Sequence, residues 1–149
     1  MCKQCDYRRL LTSGGLEPTP HRQRVLEVIG AHPAPLSAQD IFKTLNRAAG
    51  IDRVTVYRIL DVLAARGLVE RLSSGGRSRV YGMAPNKNHP AHPHFHCRTC
   101  GNLQCLHPAS LKVDLRTIKR SFTGEIQGVE VRIDGICKSC LEKVPGVRS

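Results

Sequence analysis

The chain has 149 residues, a formal net charge of +11 and seven cysteines, which bounds it to one domain or two small ones. No run of about 18 apolar residues occurs, which excludes a membrane-spanning helix. With three Tyr, three Phe and no Trp, a binder of single strands that stacks bases on aromatic side chains is disfavoured. The positive charge suits a polyanion such as DNA, RNA or an anionic membrane face, and equally plain solubility.

Met1 to Gly15 carries a C-x2-C pair, Cys2 and Cys5. It reads as a frayed, redox-exposed tail, with an accessory metal contact as the alternative. Thr19-Pro20 opens a first helix, since Thr caps and Pro fits the first turn. Val25, Leu26 and Ile29 are its apolar side, and Gly30 and Pro33 are expected to stop it. Ser37 caps a second helix, with Asp40 three residues on in a box-like arrangement. Ile41, Phe42 and Leu45 are its buried positions, and Gly50 ends it. In the third, Val56, Ile59, Leu60 and Leu63 fall at i, i+3, i+4 and i+7 and face a core, while Thr55, Tyr57, Arg58 and Asp61 lie on other faces. Gly67 stops it. Three short helices of this kind resemble a helix-turn-helix, whose last helix enters the major groove. A strand at Leu68–Leu72, a turn at Ser73–Gly76 and a returning strand at Arg79–Met83 then form a wing. Arg77 and Arg79 lie near its tip, within reach of a phosphate backbone or simply solvated.

Residues 85–93 read as a hinge. The chain is therefore expected to divide into a winged-helix DNA-binding domain at 1–84 and a small zinc-clipped α/β dimerisation domain at 94–149. The fold class is α+β. In the second domain a helix is expected at Leu111–Phe122, with Leu111, Leu115, Ile118 and Phe122 along one side. Val129, Val131 and Ile133 alternate as a strand. The apolar helix and strand offer a surface for a homodimer.

Residues 89–105 read HPAHPHFHCRTCGNLQC, with His89, His92, His94, His96, Cys97, Cys100 and Cys105 in one stretch. These are nitrogen and sulfur ligands for an ion such as Zn²⁺. Cys97 and Cys100 form one C-x2-C pair and Cys137 and Cys140 a second. Together they make a closed tetrahedral thiolate set, which is a structural site holding one Zn²⁺ per chain. Two disulfides are the alternative, disfavoured by the odd cysteine count and the lack of a signal peptide; a reducing cytoplasm is expected.

The order of parts resembles the ferric uptake regulator (Fur) superfamily of metal-responsive repressors. The matching residues are Thr19-Pro20-His21-Arg22, Thr55-Val56-Tyr57-Arg58, Gly67-Leu68-Val69, His92-x-His94-x2-Cys97-x2-Cys100-Gly101 and Cys137-x2-Cys140. The resemblance covers nearly the whole chain. It implies a winged helix, a dimerisation domain with structural zinc, and binding of the metal-loaded dimer to AT-rich inverted repeats in double-stranded DNA. Tyr57 and Arg58 would then touch bases or phosphates, and Arg22 would approach the backbone.

The resemblance also implies a regulatory ion, whose ligands map to Glu70, to His92 (or His89), to His94 and to Cys105. The last position is usually a carboxylate. Other carboxylates of the iron-sensing pattern appear here as Gly82, Lys112 and Val129. Oxygen ligands are lost and a thiolate is gained, which favours Zn²⁺ over Fe²⁺ or Mn²⁺. The chain looks most like the zinc uptake regulator (Zur) branch, repressing zinc uptake genes. An iron or peroxide sensor of the same superfamily is the second reading. His96 and His107 are weaker ligand candidates, and His32 reads as a loop residue. A zinc hydrolase is the third. It is disfavoured because H-E-x-x-H is absent and no carboxylate lies between Met83 and Asp114 to act as a local general base.

Overall fold

The structure is a computed structural model, and it describes residues 5–75, 78–87, 90–110 and 112–143. The chain separates into two compact units, Met1–Ala91 and His92–Ser149.

Among its described residues the first unit contains four helices, one more than the sequence pattern indicates. The additional one, α1 (Tyr7–Ser13), is capped by Asp6, which accepts from the Arg9 N–H at 3.1 Å. It buries Leu11 completely, so Tyr7–Ser13 is packed helix and not a frayed tail. In α2 (Pro20–Ala31) Thr19 caps and Pro20 takes the first position. Gly30 does not stop α2: it is buried inside the helix, and a side chain there would collide with the Tyr7 hydroxyl. The short strand β1 (Leu36–Ser37) leads into α3 (Ala38–Ala49), where the Ser37 Oγ accepts from the Asp40 N–H and donates to its carboxylate. Gly50 closes α3 at φ +64, a left-handed conformation that costs glycine little.

Helix α4 (Arg53–Ala65) starts at Asp52, whose carboxylate accepts from the Thr55 N–H at 2.7 Å. Hydrogen bonds from Thr55 hold that carboxyl below its usual range. Val56, Ile59, Leu60 and Leu63 turn inward and join Val25, Leu26, Ile41 and Leu45 in one core. The wing is β2 (Val69–Ser73) against β3 (Arg79–Met83), antiparallel, with β1 on the outer side of β3. Arg71 on β2 ties the wing to α4 through Asp61 at 2.5 Å, and its Nε donates to the Tyr81 hydroxyl on β3 at 3.4 Å.

The second unit is a three-stranded sheet in the order β5-β4-β6. Strand β4 (His94–Cys97) pairs antiparallel with β5 (Leu103–Cys105) and parallel with β6 (Arg132–Gly135). Between β5 and β6 lie a 3-10 turn at Pro108–Ser110 and helix α5 (Leu115–Ser121); α6 (Lys138–Lys143) follows β6. Helix α5 is shorter than the apolar spacing suggests. Asp114 caps it, accepting from the N–H groups of Arg116 and Thr117, so Lys112 and Val113 precede the helix, and Leu111 lies outside the described residues. Val129 and Val131 likewise precede β6, which starts only at Arg132.

The first unit owes its stability to its apolar core. Leu26→Ala should cost about 2–5 kcal/mol through the cavity it leaves. The expected readout is a lower urea midpoint for loss of helical circular dichroism.

Candidate metal centres and the exposed face of α4

The four knuckle cysteines converge because β4 and β6 run side by side. Cys97 ends β4, where a tight turn with Gly101 at φ +75 brings Cys100 back toward it. Two residues beyond β6 comes Cys137, with Cys140 one turn later on α6. The four sulfurs all lie within 4.8 Å of one another, and all four are free thiols. A Zn–S bond of about 2.3 Å in a tetrahedron implies sulfurs about 3.8 Å apart; Cys100 and Cys137 are separated by 3.8 Å. That spacing fits a shared ion and is far outside disulfide range.

The electrostatics fit a cation as well. Backbone N–H groups of Cys100 and Cys137 point at the Cys97 sulfur and bring its pKa down to about 6. Cys140 moves the other way, to about 12, because its hydrogen bond with Cys137, burial and the neighbouring thiols all disfavour its charge. Four thiolates cannot coexist this closely without a compensating cation.

A second set lies on the β4–β5 pair. His94 and Cys105 are directly opposite one another across the ladder, where facing side chains are closest neighbours. The His92 ring lies 4.6 Å from that of His94. Donor atoms of His92, His94 and Cys105 all fall within 4.8 Å of one another. Two imidazoles and a thiol form a mixed nitrogen and sulfur donor set suited to Zn²⁺. Glu70 sits on β2 of the first unit, half-buried opposite Gly82. His89 lies outside the described residues.

The remaining histidines do other work. His96 Nδ1 lies 3.0 Å from the Asp134 carboxylate, its direct cross-strand partner on β6, and Arg132 Nε reaches the same oxygen at 3.0 Å. Burial works against the Asp134 charge, but these hydrogen bonds outweigh it and hold its carboxyl low. The sequence reading missed this bridge between β4 and β6, because nothing in the spacing aligns residue 96 with residue 134. His107 Nδ1 accepts from the Ala109 N–H, and His32 bonds to Ala34 in a loop. Cys5 is disulfide-bonded; Cys2 lies outside the described residues.

On α4, Tyr57 and Arg58 are exposed and Thr55 is half-buried beneath the Asp52 cap. Arg22 is half-buried at the start of α2, its guanidinium donating to the Glu17 carbonyl at 3.0 Å. Arg77 lies outside the described residues.

Thiols must lose protons to ligate, so affinity of the cysteine set for Zn²⁺ should rise with pH. Calorimetric titration in two buffers of different ionisation enthalpy should show net proton release. Cys137→Ser should lower bound zinc by one per chain and remove amide protection along β4 and β6.

The ferric uptake regulator family profile matches residues 13–133. The ferric uptake regulation protein of Campylobacter jejuni is 25% identical over 137 residues, covering 90% of this chain and 85% of that protein. The peroxide operon regulator of Bacillus subtilis is 28% identical over 135 residues, covering 89% and 90%. Among solved structures, that of holo XcZur superposes with a TM-score of 0.62 at 26% identity, over 91% of this chain and 94% of that one. Members of this family regulate transcription and are not enzymes. With an α+β fold, a four-thiol cluster and a match over residues 13–133, the chain belongs to the ferric uptake regulator family of metal-responsive transcriptional regulators.

Proposed function

We propose that the protein is a zinc-responsive repressor of zinc uptake genes, closest in function to the zinc uptake regulator branch. The observation that carries this reading is the convergence of two imidazoles and one thiol at His92, His94 and Cys105. Iron and manganese sites favour hard oxygen ligands, whereas a thiolate beside two imidazoles favours Zn²⁺. In this reading Glu70 completes the site, and His89 is the alternative to His92. Cys97, Cys100, Cys137 and Cys140 hold a separate structural Zn²⁺.

Binding of the regulatory ion stabilises the DNA-competent conformation, so by linkage DNA raises metal affinity by the same factor. Thr55, Tyr57 and Arg58 face the major groove of an AT-rich inverted repeat, and Arg22 and Arg77 hold its phosphates. The inverted repeat is matched by a homodimer. Support for self-association comes from the second unit's exposed apolar side chains, among them Leu115, Ile118, Phe122 and Ile133, since such a surface is stable in water once covered. The domain roles follow: DNA binding over 1–84, a hinge over 85–93 and dimerisation over 94–149.

An iron or peroxide sensor is the second reading, favoured by the names of the sequence relatives. Anisotropy of an AT-rich inverted-repeat duplex against buffered free Zn²⁺, Fe²⁺ and Mn²⁺ separates the two. Zinc should activate at free concentrations far below those of labile iron or manganese. Equal activation by Fe²⁺ or Mn²⁺ in its own cellular range rejects the zinc reading. Cys105→Ala should abolish zinc-dependent DNA binding while the structural zinc stays bound; a variant that still responds normally to zinc shows the site to be misassigned. Ile118→Glu should shift the protein from dimer to monomer in analytical ultracentrifugation.

A further inference from the structure

The first unit hides its large apolar side chains well, with one local exception. Among its described residues, the large hydrophobic side chains left exposed are Val54, at 58%, and Tyr57, at 38%. Both sit near the start of α4, three residues apart, and so are neighbours on one helical face. The core does not require Val54, because α4 buries Val56, Ile59, Leu60 and Leu63 instead. Helix propensity does not favour it either: a β-branched residue is a poorer choice than Ala or Lys at an exposed helical position.

The surroundings of Val54 are cationic. Arg53 precedes it, with its guanidinium 5.1 Å from the centre of the Phe42 ring, and Arg58 is exposed one turn on. The nearby carboxylates are engaged, Asp52 with the Thr55 N–H at 2.7 Å and Asp61 with Arg71 at 2.5 Å. A surface that is apolar at one point and positive around it matches one feature of B-DNA. In the major groove a thymine presents its C5-methyl, an apolar group on an edge otherwise made of hydrogen-bonding atoms and flanked by phosphates.

We propose that Val54 is a specificity-determining residue that packs against the C5-methyl of a thymine, beside Tyr57. The inference rests on the DNA-reading role proposed above for α4 and adds a base preference at one position of each half-site.

The test uses full-length, zinc-loaded protein and the duplex it enriches from a randomised pool. Each thymine of that duplex is replaced singly by deoxyuridine, which removes the C5-methyl and leaves pairing and charge intact. Wild type should lose about three- to five-fold in affinity at one position per half-site, the scale expected for one buried methyl. Val54→Ala should bind thymine and deoxyuridine duplexes alike, while its affinity for an unrelated duplex matches that of wild type. Alanine at this exposed helical position favours the fold. Indifference of wild type to deoxyuridine at every position overturns the proposal. So does a Val54→Ala protein that keeps the same penalty at the same position. A pool that yields no enriched duplex rejects the DNA-binding reading itself, and this inference with it.

Discussion

The second unit depends on the convergence of four cysteines. Among its described residues the buried aliphatic side chains are Pro93 and Leu103, and its core cluster consists of Cys97, Cys137 and Cys140 with Phe95 packed against them. The first unit has more than a dozen buried aliphatic residues to hold it. A fold this small, with this little apolar burial, needs a metal or a partner surface to be stable. The cysteine set supplies the metal site, and the Cys137 N–H donates to the Cys97 sulfur at 3.3 Å to help place it. Under the proposed function, with a structural Zn²⁺ on this set, folding free energy would be in large part ligation free energy.

That dependence reaches the second metal set through one strand. His94 and Cys97 belong to the same four-residue β4, and residues an odd number apart on a strand point to opposite faces. One face of β4 therefore contributes to the cysteine cluster and the other to the His92, His94 and Cys105 set. His96 shares the His94 face but is taken by Asp134, which fastens β4 to β6. Disorder at the cysteine cluster would move His94 away from Cys105. Under the proposed function, the structural ion would thus be a precondition for any response at the second set.

Much of this is legible in the sequence because it rests on local rules. The caps at Thr19, Ser37 and Asp52 follow from side-chain chemistry at helix starts, and the inward stripe of α4 follows from helical periodicity. Pairing of two C-x2-C motifs follows from ligand count. The misses at Gly30 and at Tyr7–Ser13 come from partners distant in sequence, whereas α5 starts late because of its local Asp114 cap. Gly30 reads as a stop, yet Tyr7 packs on it inside the helix, and Tyr7–Ser13 reads as frayed, yet Leu11 lies in the core. Val129 and Val131 alternate as a strand would, but β4 is short: its ladder with β6 covers Arg132–Gly135, and Val131 just before it only accepts from the His94 N–H at 3.0 Å. The facing of His94 and Cys105 depends on the β4–β5 register, which the knuckle turn sets and spacing alone does not.

The first unit is braced in ways that constrain how it can be regulated. Arg71 joins β2 to both Asp61 on α4 and Tyr81 on β3. Arg66, at the end of α4, donates to the Gly14 carbonyl at 3.2 Å, 52 residues away in the chain. The start of α4 is held by Arg53 against Phe42 of α3. Helix α4 is therefore fixed at its start, its middle and its end to three different elements, and its inner face is fully packed. Bending or unwinding it would break several of these contacts together, and close-packed interiors resist such continuous deformation. In the proposed reading, a regulatory ion would act most economically by moving the winged helix as a body. Under the proposed function, metal would change the spacing between the two recognition helices of a dimer and leave the base-reading surface of each one intact.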